Sequence, residues 1–81
     1  MKIKYFAWLK DITNTESDTF DNANIYDIDG LKKYIEKKYP DLKKYIDQDV
    51  LRIAVNQEYI IENICLNAND EIAIFPPVSG G

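Results

Sequence analysis

The sequence predicts a small α+β roll, a sheet crossed by one main helix. Three observations carry that expectation. The first and last strand candidates are both strongly apolar, with side chains alternating at a period of two. Between them the apolar spacing changes once, to steps of three and four residues, the mark of a helix face. Eighty-one residues with 46% hydrophobic content can build one core and leave no room for a second.

Residues 2–9 read as the first strand. Ile3, Tyr5, Ala7 and Leu9 fall on one face, expected to pack on the core, and Lys2, Lys4, Phe6 and Trp8 on the other. Residues 10–15 make a short helical turn before the chain reverses, and 16–20 a second strand. Residues 21–24 have loop composition. Ile28, Leu31, Ile35 and Tyr39 then mark one face of the main helix. Asp27 is its N-cap, and Asp29 sits in the first turn, where the helix dipole favours a carboxylate. Gly30, read as interior to that helix, costs about 1 kcal/mol against alanine. Pro40 ends the helix, because the residue before a proline avoids the α region. Residues 41–46 make a further helical turn. Strands follow at 51–55 and 58–61, joined by an Asn56-Gln57 turn, and the last strand covers 71–75 with Ile72 and Ile74 inward.

Composition removes several function classes. A net charge of −4 disfavours generic nucleic-acid binding. No apolar run approaches the ~18 residues of a membrane span, and the Met-Lys-Ile-Lys start lacks a signal-peptide core. The expected setting is the cytoplasm, away from membranes. One cysteine, Cys65, cannot build an internal disulfide framework, and it is expected to be buried and structural. With no histidine, neither a zinc site nor a Cys-His nucleophile can be assembled from this chain alone. No metal site and no self-contained enzyme are expected. Lysines 32, 33, 37, 38, 43 and 44 outnumber Glu36 and Asp41 in their segment, so the remainder is strongly acidic. They read as a solvated helix face, with a docking surface for an acidic partner as the alternative.

Two features point to function. Phe6 and Phe75 fall on the sheet face opposite the core, and Tyr59 can join them from the neighbouring strand. An aromatic patch on the open face of a small domain is expected to bind another protein. Trp8 is divided between that patch and the edge of the core. The second feature is "PPVSGG" at 76–81, which divides the chain into a domain at 1–75 and an extended tail at 76–81. Pro76 and Pro77 lack backbone donors, end the last strand and favour a polyproline-like path. Val78 and Ser79 follow, and Gly80-Gly81 has no side chain to obstruct entry into a narrow cleft. Six extended residues reach about 20 Å. The tail is expected to insert into a partner, with the Gly81 carboxylate as the working group.

The segments "YFAWLKDI", "AVNQEYI" at 54–60 and "NDEIAIFPPVSGG" at 69–81 together resemble the molybdopterin synthase small subunits, the MoaD-like sulfur carriers of the MoaD/ThiS ubiquitin-like family. "FPPVSGG" resembles this family more than the thiamine sulfur carrier or ubiquitin, which share the Gly-Gly but seldom the Phe-Pro-Pro. The resemblance implies a β-grasp fold with a mixed sheet. It implies that an ATP-dependent activating enzyme adenylates Gly81 and that sulfur from a donor protein replaces the adenylate. The resulting thiocarboxylate would enter the active site of the large synthase subunit, in a heterotetramer, and donate sulfur to a cyclic pterin monophosphate. Phe6, Tyr59 and Phe75 fall where the family docks its partners. No cofactor is implied for this chain itself. The alternatives are a β-grasp carrier for thiamine or tRNA thiolation, and a ubiquitin-like protein modifier. One departure is Asn69, where the family commonly has glycine before the last strand. Asparagine tolerates positive φ, so the turn is expected to keep a left-handed residue there.

Overall fold

The computed structural model describes residues 1–19 and 25–77, and five strands among them form one sheet. In chain order the elements are β1 (Lys2–Tyr5), α1 (Leu9–Thr13), β2 (Ser17–Thr19), α2 (Ile28–Lys38), a 3-10 turn (Pro40–Leu42), α3 (Lys43–Asp47), β3 (Arg52–Val55), β4 (Glu58–Ile60) and β5 (Glu71–Phe75). The sheet runs β2-β1-β5-β3-β4. β1 and β5 are parallel, with Ile3 opposite Ile72 and Tyr5 opposite Ile74, and the remaining pairs are antiparallel. This mixed sheet wrapped on one main helix is the expected β-grasp roll. The expected end of the second strand at Phe20, the loop at 21–24 and the tail at 78–81 lie outside the described residues.

The first strand is shorter than periodicity predicts. It stops at Tyr5, because Ala7 takes φ 54° and turns the chain. Ala7 is therefore exposed rather than core-facing. Leu9 still reaches the core, fully buried, but from the start of α1. Ile3, Tyr5, Ile72 and Ile74 from the paired central strands meet Ile28, Leu31 and Ile35 from α2, all nearly inaccessible to solvent.

The α2 boundaries follow local chemistry. Asp27 caps the helix by accepting the Gly30 N–H at 2.8 Å. That bond places Gly30 in the first turn, not in the helix interior, so the full interior penalty does not apply. An added Cβ there would meet Asp27 Oδ1 at 3.2 Å. Tyr39 leaves the helix at φ −126°, ψ 82°, the extended geometry imposed by the proline that follows.

Two further expectations are corrected. Cys65 is exposed. Its backbone bridges Asp27, and the Leu66 N–H donates to the Tyr26 carbonyl at 2.7 Å, which turns Leu66 into the core and the thiol outward. Asn69 is not among the residues with positive φ. Its turn is closed by Asp70, whose carboxylate accepts the Asn67 N–H at 2.7 Å and whose own N–H donates to the Asn67 carbonyl at 3.1 Å. The left-handed conformation falls instead on Asn56 and Gln57, at φ 51° and 72°, where a two-residue hairpin demands it.

Candidate functional site

The open face of the sheet is set by the alternation of its strands. Ile53 and Val55 of β3 and Ile72 and Ile74 of β5 are buried, so Arg52, Ala54, Ala73 and Phe75 point the other way. Phe75 lies opposite Arg52 in the register. Tyr59 lies opposite Ala54, which in turn lies opposite Ala73. The small alanines leave room for the large rings beside them.

Three aromatic side chains meet on this face. Phe6 stacks on Phe75, with ring centroids 4.6 Å apart and planes 17° from parallel. Tyr59 tilts against Phe75 at 5.7 Å. The stack is positioned by the backbone, since the Phe6 N–H donates to the Ile74 carbonyl at 3.0 Å just beyond the end of β1. Phe6 and Tyr59 remain 38% and 67% exposed, so the patch is formed but uncovered. The sequence-predicted trio Phe6, Tyr59 and Phe75 is thus brought together.

Trp8 does not join them. Its ring packs edge-on against Tyr45 of α3 at 5.2 Å, at the margin of the core. Pro76 and Pro77 leave β5 directly beside the aromatic stack and are half-buried. Pro77 lines an open concavity of about 700 Å³ together with Arg52, Tyr59 and Ile61. Val78, Ser79, Gly80 and Gly81 lie outside the described residues. Sequence reasoning missed Arg52 and Ile61 as members of this face. Ile61 is 97% exposed, and the period-two reading of 58–61 that placed Tyr59 outward would have placed Ile61 with it.

The lysine-rich segment is partly consumed by internal pairs. Lys38 lies 3.3 Å from Asp18, Lys32 3.6 Å from Asp49 and Lys43 2.7 Å from Asp47. Lys33, Lys37 and Lys44 are exposed. The Asp18 carboxylate is drawn inward, its side chain 15% exposed. Tyr5 and Tyr39 both donate hydroxyl protons to its Oδ2 at 2.7 Å. Burial opposes its charge, but the bonds from Tyr39, Tyr5 and Lys38 outweigh burial and hold its carboxyl below the usual range. The Tyr5 hydroxyl is pushed up, chiefly by burial and then by the adjacent Asp18. This network joins the edge strand β2 to β1 and to the end of α2, away from the aromatic face, and is structural. Among the described residues, no helix is long and apolar enough to cross a membrane.

Comparison with known proteins gives a consistent result. The ThiS family matches residues 3–81. The chain is 38% identical over 86 residues to the molybdopterin synthase sulfur carrier subunit of Dictyostelium discoideum, spanning 99% of this chain and 94% of that protein. Its fold is similar to that of SAMP1 from Haloferax volcanii, with a TM-score of 0.81, 26% identity and coverage of 99% of this chain and 97% of the other. It is also similar to a chain in the complex of subunits 1 and 2 of the molybdopterin-converting factor from Helicobacter pylori 26695. There the TM-score is 0.68, with 27% identity over 99% of this chain and 96% of the other.

Proposed function

The chain belongs to the ThiS family, and from that premise we propose that it is the sulfur-carrier subunit of a molybdopterin synthase. The observation that carries the reading is the uncovered Phe6–Phe75–Tyr59 face at the root of the Pro76-Pro77 segment. A partner seated on that face lies beside the Pro76-Pro77 segment from which the chain continues to Gly81. The body at 1–75 docks, and the tail at 76–81 reaches the partner's active site. Likeness to a chain in a complex of subunits 1 and 2 supports a large subunit as that partner; the assembly we propose is a heterotetramer.

The chemistry follows from the weakness of a carboxylate as an electrophile. An ATP-dependent activating enzyme joins the Gly81 carboxylate to AMP and releases pyrophosphate. The outer sulfur of a persulfide on a donor protein then attacks the acyl carbon and expels AMP, and a second thiol cleaves the sulfur–sulfur bond of the resulting acyl disulfide, leaving with the donor sulfur as a disulfide. The product is a thiocarboxylate on Gly81, sulfur that remains covalently attached. In the large subunit it attacks a cyclic pterin monophosphate precursor, and hydrolysis returns the carboxylate. Two such transfers build a dithiolene. This chain supplies the carrier and the docking face, the large subunit supplies the catalytic residues, and the reaction runs in the cytoplasm.

The test is an intact mass after incubation with ATP, an activating enzyme and a sulfur source. The expected result is the gain of one oxygen-for-sulfur exchange, localised to Gly81. Absence of that gain with an enzyme that thiolates related carriers refutes the reading. The likeness to SAMP1, a small archaeal modifier protein, favours a second reading as a protein modifier. That reading predicts isopeptide conjugates on lysines, detectable after proteolysis.

A further inference from the structure

We propose that Arg52 determines the specificity of the docking face, and that the large subunit presents a carboxylate to it. The proposal rests on the functional reading above and adds a charge requirement to it.

Arg52 is the single arginine of the chain. It opens β3, opposite Phe75 in the register, and its exposed side chain points to the open face because Ile53 beside it is buried. Continuing the β3–β4 register by one residue sets Ile61 on its other flank. Tyr59, Ile61 and Pro77 line the same concavity. Arg52 is therefore flanked in the register by Phe75 and Ile61, beside a concavity whose lining also includes Asp29, Lys32, Asp49 and Glu62. Two other cations share this face: Lys4 is held by Glu71 at 3.2 Å, and Lys2 lies at the opposite end of β1 from Phe6. None of the ion pairs among the described residues includes Arg52.

Covering the aromatic stack removes water from Arg52 as well. A desolvated guanidinium without a counter-charge opposes association, whereas a carboxylate can occupy its planar fork with two parallel hydrogen bonds. A lysine or a neutral surface at that point would be rejected. The arrangement thus selects a partner whose apolar contact surface carries an aspartate or glutamate opposite Arg52.

Calorimetric titration of the full chain against the large subunit and, separately, the activating enzyme tests this. The chains are wild type, Arg52→Gln and Arg52→Glu, with circular dichroism confirming that each is folded. Loss of one member of a buried charge pair predicts that Arg52→Gln weakens large-subunit binding by at least about 30-fold, and Arg52→Glu by about 100-fold or more. Added salt should weaken wild type more than Arg52→Gln, a difference that a merely structural role would not produce. Binding within about threefold of wild type by Arg52→Gln overturns the proposal. So does a loss confined to the activating enzyme, or wild-type self-association that Arg52→Gln abolishes, since either assigns the face to another occupant. A wild-type chain that does not bind the large subunit at all overturns the functional reading together with this proposal.

Discussion

Replacing Asp18 with alanine removes the acceptor for two tyrosine hydroxyls, and the cost can be worked out from their surroundings. Tyr5 is 2% exposed, so its O–H, now 2.7 Å from Oδ2, would have no water to turn to. A hydrogen bond to a charged group contributes about 1.5–3 kcal/mol, and a buried donor left unmet costs in the same range. Tyr39 donates at the same distance but is half-buried, so water recovers part of its loss. Lys38 is 43% exposed and its ion pair adds less than about 1 kcal/mol. The expected destabilisation is about 3 kcal/mol, a fall in melting temperature of about 12–24 °C for a domain of this size. Urea and thermal unfolding of Asp18→Ala measure it. A loss below about 1 kcal/mol would refute the reasoning, because it would mean that Tyr5 finds another acceptor. The companion variant Tyr5→Phe removes the stranded donor. The double variant should therefore cost about 1 kcal/mol or more less than the sum of the singles. The sign with pH is also set. The folded carboxyl of Asp18 lies below its unfolded value, so the unfolded chain binds the proton more tightly. This contribution is present above the ordinary carboxylate range and is lost as pH falls through the lowered folded value. Asp18→Asn should flatten that acid limb of the stability curve.

Other outcomes follow from the same structure. Deleting Gly81 should abolish thiocarboxylate formation in the mass assay while leaving the melting temperature within a few degrees of wild type, because among the described residues the buried cluster runs from Ile3 to Ile74. Phe75→Ala removes the ring that touches both Phe6 and Tyr59 and should weaken large-subunit binding by about tenfold or more in a titration, with a smaller effect on folding. Gln57→Gly relieves a left-handed residue in the β3–β4 turn and should raise the melting temperature by about 2–8 °C, read by calorimetry, without changing partner affinity.

Much of this protein was legible in the order of its residues. The main helix, its Asp27 cap and its end before Pro40 are local events, decided within a few residues by period, side-chain capping and steric exclusion. The same holds for the last strand and for the Asn56-Gln57 turn. The aromatic trio was legible because alternation alone assigns Phe6, Tyr59 and Phe75 to one side of their strands. Alternation does not say which strands are neighbours. Only the parallel pairing of β1 with β5 puts Phe6 over Phe75, and only the β3–β5 register sets Arg52 beside that stack. Tertiary context also overruled local pattern. Ala7 leaves the strand so that Leu9 can enter the core from a helix, and the backbone bridge to Asp27 turns Cys65 outward so that Leu66 can be buried. Asp18 looked like any other acid of a polar segment until two tyrosines from distant positions converged on it. Sequence by itself determined which faces are apolar and where elements start and stop, because those depend on neighbours along the chain. Which faces meet, and which charges are left unpaired, depends on register between segments far apart in sequence, and only the folded structure decided that.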